Sequence, residues 1–449
     1  MDTLNLDEAL ARLRAALERD DLADARRVIE ALQPEDQADV VSELDDEDQV
    51  TLLPNLDPAD SADILEKMEN QDAADLADAL PHEALIRIVD EMESDEAADL
   101  LGDIAPAQAE AVLSAMEDPE DVRPLLMHTD DSAGGLMTSE FLALRRRMTA
   151  REAIEAIRLW QPDAEEVYYL FVVDREGVLV GVVSLRALVV ADPTKRLEEI
   201  MDTAVISVRV GADQEECARL ISRYDLLALP VVDADGRLLG VVTVDDVVDV
   251  LVDEATEDIQ RLGGAQPLDR PYLDTSPFSV FGKRAGWLLL LFVTGSLTGS
   301  VLRHFEAQLE AVVALAFFVP LLIGTGGNAG TQTTSTIIRA LGVGEVELKD
   351  ALRALRHELV IGLLLGAAMA VVAYLRALTW GSGQDLALAV AVAIFVIVMW
   401  ANGLGSLLPL LASRLKIDPA VVSGPVMSTL VDATGLFIYL TIATLFLGL

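Results

Sequence analysis

Between residues 32 and 118 an apolar side chain returns at every twelfth position, as Leu32, Leu44, Leu56, Met68, Leu80, Met92, Ile104 and Met116. Two residues after most of them stands a helix-start residue: Pro34, Asp46, Pro58, Asn70, Ser94, Pro106 and Asp118, with Pro81-His82 in the remaining slot. Asp, Asn and Ser cap the first unpaired N–H groups, and Pro fits the first helical turn, so each unit predicts one short helix. A second apolar pair at mid-unit, such as Val40-Val41, Leu52-Leu53, Ile64-Leu65 and Leu100-Leu101, makes each helix amphipathic. Successive units are expected to stack as an α-solenoid with an acidic outer face.

From about residue 138 the period changes. "VVDREGVLVGVVS" at 172–184 and "VVDADGRLLGVVT" at 231–243 are copies offset by 59 residues, each an apolar run, an acid-Gly turn, a second β-rich run and a helix start. Both copies therefore predict strand, tight turn, strand, helix. The pair resembles tandem cystathionine-β-synthase (CBS) domains over roughly residues 138–254, an α/β fold. That resemblance implies that Gly240, Thr243 and Asp246 can hold the ribose of ATP or another adenine nucleotide, in one half only, because Ser184 of the first copy has no acid three residues on. A purely structural role for the three stays open beside it.

The helix that follows carries Asp245, Asp246, Asp249, Asp253, Glu254, Glu257 and Asp258. At helical spacing Asp246, Asp249, Asp253 and Glu257 share one side, and like charges on one face destabilise a helix unless a cation lies opposite. Either water or bound divalent cations supply that compensation.

Five apolar spans close the chain, at residues 285–302, 311–338, 359–375, 386–413 and 419–447, each long enough to cross a bilayer. Lys283, Arg284, Arg339, Lys349, Arg353, Arg356, Arg414 and Lys416 flank them on one side, against Arg303 and Arg376 on the other. The richer side is the cytoplasmic one. The expected organisation is an acidic repeat domain at 1–130, the CBS pair at 131–254, a connecting helix and linker at 255–275 and a transmembrane domain at 276–449.

Charge sharpens this division. The net charge of -42 is concentrated in residues 1–130, with 38 acidic and 8 basic side chains, while residues 261–449 carry 11 and 12. Such a front end repels nucleic acid and anionic lipid and attracts cations, although solvation alone can account for the composition. No charged-then-apolar leader opens the chain, so the front end is expected in the cytoplasm. The lone Cys217 reads as a small buried residue in a reducing compartment. Four scattered His and no Gly-Lys-Ser/Thr phosphate loop argue against an enzyme.

Chemistry concentrates at membrane depth. In "PLLIGTGGNAGTQTTST" at 320–336, Pro320, Gly324, Gly326, Gly327 and Gly330 are expected to loosen the helix, while Thr325, Asn328, Thr331 and Gln332 supply oxygens. Asn402 lies in the fourth span. In the fifth, Ser428, Asp432 and Gly435 form one stripe with Thr429 adjacent. A carboxylate near the bilayer centre costs at least about 2.5 kcal/mol. A proton, a permeating cation or pore water must offset it.

The order of acidic repeat, CBS pair, acidic helix and five spans, with "GTGGNAGTQ" and "DPAVVSGPVMSTLVDATG", resembles the MgtE magnesium transporter family. The second span has Thr331 where many members carry Asn after the glycine. The resemblance implies a homodimer in the cytoplasmic membrane with one pore between its halves, in which Asp432 recognises the cation and Asp418 faces the acidic connecting helix. Regulatory Mg2+ is expected at Asp90, Glu91 and Asp95 of the repeat, at Asp213, Glu215, Glu216 and Asp225 of the second CBS copy, and along Asp246, Asp249, Asp253, Glu254, Glu257 and Asp258. High cytoplasmic Mg2+ would hold these faces together and the pore shut. A Mn2+ or Co2+ transporter, a proton-coupled carrier using Asp432 and a non-transporting sensor are the alternatives.

Overall fold

The computed structural model describes residues 6–160, 169–268, 270, 272–273 and 275–449. Residues 1–5, 161–168, 269, 271 and 274 lie outside these. The described chain forms two compact units, Met1–Leu251 and Val252–Leu449.

The first unit opens with ten helices: α1 (Leu6–Leu17), α2 (Leu22–Ile29), α3 (Pro34–Ser42), α4 (Asp46–Leu52), α5 (Pro58–Glu66), α6 (Asn70–Ala79), α7 (His82–Val89), α8 (Ser94–Asp103), α9 (Pro106–Leu113) and α10 (Pro119–Val122). Each twelve-residue unit from 34 onward is thus one helix, as its pattern predicts. Seven of the eight periodic apolar residues are buried, and Met116 is half-buried.

Two details differ from expectation. Stacking joins every second helix, α3 with α5, α4 with α6, α5 with α7, α6 with α8 and α7 with α9, so one superhelical turn takes two units. And Asp46, Asn70 and Ser94 are first helical residues rather than caps. Linker amides between helices are instead satisfied from the stacked turn. Glu66 accepts from the Glu93 amide at 2.8 Å, Asp78 from Ala105 at 3.2 Å and Asp90 from Glu117 at 2.9 Å, always across 27 residues. Three of the acids that make the chain so negative therefore hold the solenoid's turns together.

The CBS region follows as β1 (Ala143–Arg145), α11 (Ala150–Trp160), β2 (Tyr169–Val173), β3 (Leu179–Ser184), α12 (Leu185–Val190), β4 (Val208–Arg209), α13 (Gln214–Tyr224), β5 (Ala228–Val232), β6 (Leu238–Thr243) and α14 (Val244–Leu262). Its two sheets have the same topology, a parallel pair joined to an antiparallel hairpin. Gly177 and Gly236 turn the hairpins at φ +86° and +81°, where a side chain is strained. The hairpin tips meet reciprocally: the Leu179 amide donates to Gly236 O at 3.0 Å and the Leu238 amide to Gly177 O at 3.1 Å. The duplication in the sequence is thus a local pseudo-twofold in space.

The second unit consists of the C-terminal part of α14, then α15 (Pro277–His304), α16 (Glu306–Ala311), α17 (Ala314–Gly342), α18 (Ala351–Thr379), α19 (Gln384–Arg414) and α20 (Gly424–Leu447). Five of these are long and apolar enough to cross a membrane. The central one is α19, with 61% of its apolar window buried against 0% for α15. Around it pack α17, α18 and α20, through Leu315, Phe318, Ile394, Ile397, Val431 and Tyr439.

Each repeat helix is too short to be stable alone, so the solenoid depends on residues such as Leu85, which is fully buried in α7. Leu85→Ala is expected to lower the stability of the soluble region by about 2–5 kcal/mol, read as a fall in its denaturant midpoint.

Candidate ion pathway and its acidic flank

The glycines at 320–336 do not break their helix, contrary to expectation: α17 runs unbroken from Ala314 to Gly342 with Pro320 inside it. They let helices touch. A Cβ on Gly326 would lie 2.5 Å from Ile397 Cγ2 and 2.9 Å from Val431 Cγ1, and one on Gly405 would lie 2.7 Å from Gly330 O. No side chain fits there, so α17, α19 and α20 cross backbone to backbone.

With one α17 face taken up by packing, the opposite face is polar. Gly324, Asn328, Gln332 and Thr336 follow one another every four residues and all are exposed, within a helix of membrane-crossing length. Lipid is a poor partner for amide side chains. Next to it α20 contributes Ser428, which lies 3.5 Å from Thr331 Oγ1, while Thr331 Oγ1 donates to Gly424 O at 3.4 Å. Asp432, one turn further, is half-buried and has no hydrogen-bond or ion-pair partner among the described residues. Thr429 and Thr325 return their hydroxyls to their own helices, at Pro425 O and Leu321 O. Gly435 is buried against Ile397.

Where α20 is entered, Asp418 accepts an amide bond from Ala420 at 2.8 Å and pairs with Arg261 near the end of α14. Arg261 also pairs with Glu257 one turn back. Asp258 beside them is pushed up by partial burial first and then by the Asp418 and Glu254 carboxylates, with Arg339 opposing. The end of the acidic helix thus carries its own cation, which answers part of the like-charge problem posed by its sequence.

In the first unit a second acidic seam joins α8, the α5 terminus and the start of α14. Asp95 is 6% exposed, its Oδ1 has no hydrogen-bond partner, and it is pushed well above the usual carboxylate range by burial and then by Asp246, Glu93 and Glu96. Glu96 and Asp99, half-buried, are pushed up to about 8 and about 7, by desolvation first and neighbouring carboxylates second. Glu93, though exposed, shares the seam and reaches about 7 for the same reasons. Lys67 stands among them; burial alone would lower it, but Glu96, Glu66, Glu93 and Asp245 outweigh that and raise it. Among the described residues no three or more His, Cys, Asp or Glu side chains are grouped to hold a metal ion.

These features coincide with sequence relationships. The family described as "Divalent cation transporter" matches residues 319–442, the MgtE intracellular N domain matches 32–131, and the CBS domain matches 133–193 and 197–253. The magnesium transporter MgtE of Thermus thermophilus is 48% identical over 327 residues, covering 73% of this chain and 72% of the relative. This chain belongs to the MgtE family. The magnesium transporter MgtE of Bacillus subtilis is 37% identical over 75% of this chain and 74% of its own length. Among solved structures, the cytosolic domain of the Mg2+ channel MgtE in complex with ATP is 40% identical at a TM-score of 0.51, covering 54% of this chain and 99% of that one. The soluble part of a magnesium transporter is 36% identical at 0.51, over 56% and 100%. The present chain is accordingly a membrane protein of the MgtE magnesium transporter family with soluble N-terminal domains.

Within this MgtE chain the other expected site residues scatter. Asp213 caps α13 by accepting from the Glu215 amide at 2.9 Å, and Asp225 ends the same helix in the left-handed region at φ 51°. Glu216 pairs with Arg219 at 3.9 Å. Asp90 holds the Glu117 amide, while Glu91 and Asp249 are exposed, as is Asp253. Asp246 accepts from both the hydroxyl and the amide of Thr243, closing the first turn of α14. A Cβ on Gly240 would lie 2.6 Å from Met137 and 2.8 Å from Thr138 O, so chain packing already requires that glycine. Asn402 is turned toward α18, where its Nδ2 donates to Glu358 O at 3.5 Å.

Arg261, Glu96, Asp99, Lys67 and Glu358 went unnoticed in the sequence. Glu358 sits in "RHELVIG" at the charged edge of a span and reads as a flank, and Arg261 is one basic residue after seven acids.

Two outcomes follow. A carboxyl whose folded value is raised contributes stability that is fully present below its unfolded value and is lost as pH rises from there through the folded value. With Glu93, Glu96 and Asp99 at about 7, 8 and 7, the melting temperature of the soluble region in chelator is expected to fall as pH rises from about 5 to 9. Arg261→Ala is expected to speed amide exchange across residues 257–262 roughly threefold, by removing the shared cation.

Proposed function

We propose that this chain is a Mg2+-selective, channel-like transporter of the cytoplasmic membrane, working as a homodimer and gated by cytoplasmic Mg2+. The observation that carries the transport reading is the unpartnered Asp432 beside an exposed polar stripe on α17 at membrane depth. Two symmetry-related Asp432 carboxylates would balance one divalent charge, and the balance would remove the cost of burying each alone. Mg2+ gives up its water reluctantly, so carboxylate, amide and hydroxyl oxygens of Asp432, Asn328, Gln332 and Ser428 suit a hydrated ion better than a tight cage. The positive flanks at Lys283, Arg284, Arg339 and Arg414 favour a cytoplasmic side for the soluble domains.

Gating rests on the acidic seam and on α14, which begins in the first unit and ends in the second. Mg2+ screens the Asp95, Glu96 and Asp246 carboxylates when it is abundant, and their repulsion loosens the seam when it is scarce. ATP or another adenine nucleotide is a second ligand of the CBS pair. The Thr243–Asp246 arrangement and the ATP held by the related cytosolic domain favour it.

Mg2+ flux into proteoliposomes tests the transport reading. Asp432→Ala is expected to lower it at least about tenfold, and wild-type flux and selectivity in that variant would reject the pore assignment. For gating, millimolar Mg2+ is expected to flatten the pH dependence of the soluble region's melting temperature, because the ion takes the place of the protons. Equal flattening by Na+ at matched ionic strength would reduce the acidity to solvation.

A further inference from the structure

We propose that each chain holds one monovalent alkali cation in a separate pocket between α17, α18 and α19, at Glu358, Thr333, Asn402 and Ser406. The Glu358 carboxylate is 7% exposed, and its partner among the described residues is a hydroxyl, Thr333 Oγ1, which donates to Oε2 at 3.0 Å. No Lys or Arg pairs with it among those residues. A buried carboxylate left without a cation costs several kcal/mol, so something positive belongs there.

The surroundings supply oxygen atoms with nothing to accept. Asn402 is 1% exposed and Ser406 0% exposed; Asn402 Oδ1 and Ser406 Oγ have no hydrogen-bond partner. These two lie one helical turn apart on the α19 face that meets α18. Asn402 Nδ2 is drawn to Glu358 O at 3.5 Å, which leaves its Oδ1 as the free acceptor. Space is tight: a Cβ on Gly362 would lie 3.2 Å from Asn402 Cβ, and one on Gly405 3.0 Å from Thr333 Cβ.

The charge count selects the ligand. One carboxylate among neutral oxygens balances a single positive charge, whereas a divalent ion would leave a buried excess. Oxygen donors without sulfur or imidazole suit a hard cation. The pocket is formed within one chain and contains none of the Asp432 stripe, so it is independent of the pore reading.

Equilibrium binding of 22Na+ to the purified full-length protein at pH 8.5, with N-methylglucamine as the inert salt, tests the proposal. One site per chain is expected, competed by unlabelled Na+ and weakened at least about tenfold by Glu358→Gln. Asp432→Asn, which strikes the pore, is expected to keep the 22Na+ site, so failure of one reading is distinguishable from failure of the other. Should Glu358→Gln not fold, Ser406→Ala leaves the carboxylate in place and is expected to weaken binding several-fold. Absence of 22Na+ binding would overturn the proposal. So would unchanged binding in both Glu358→Gln and Ser406→Ala, or displacement of 22Na+ by Mg2+ at lower concentration than by Na+.

Discussion

A carboxylate taken out of water needs a positive partner, because its desolvation costs several kcal/mol that packing alone does not return. This chain places acids away from water in three settings: Asp95 with its neighbours in the soluble seam, Glu358 between membrane helices, and Asp432 on the stripe of α20. Near Asp418 a fixed Arg261 answers the charge. Lys67 offsets part of the charge in the seam, whereas among the described residues no Lys or Arg pairs with Glu358 or Asp432.

The soluble unit spreads the acids so that many are useful without any ion. Glu66, Asp78 and Asp90 hold linker amides of the next turn, and Asp174 and Asp233 hold the hairpin turns of the two CBS copies. What remains after these is the seam around Asp95, where burial and mutual repulsion act together. High net charge and strong local cohesion coexist because the acids fall into these two groups.

In the membrane unit small residues and polar residues divide the work. Gly326, Gly330 and Gly405 bring α17, α19 and α20 into close contact, and the same crossings leave Asn328 and Gln332 on the free face. The polar stripe therefore follows from the packing stripe. Glycines here are close-approach residues in unbroken helices, and the loosening expected of them is not needed to expose the oxygens.

Much of this was legible in the chain. A twelve-residue period specifies helix length because one apolar stripe and one turn fill it, an offset of 59 specifies a duplicated α/β motif, and five long apolar runs specify five crossings. Asp432 stood out because it interrupts such a run. What the sequence could not decide is which residues meet across elements. The pairing of every second repeat helix, the seam that lifts Glu96 and Asp99, the Arg261–Asp418 pair and the pocket at Glu358 each join positions 25 to about 157 residues apart, or depend on which helix face is covered. Periodicity reports the environment a residue wants; only the folded chain sets its neighbours, and it is the neighbours that give a buried charge its partner.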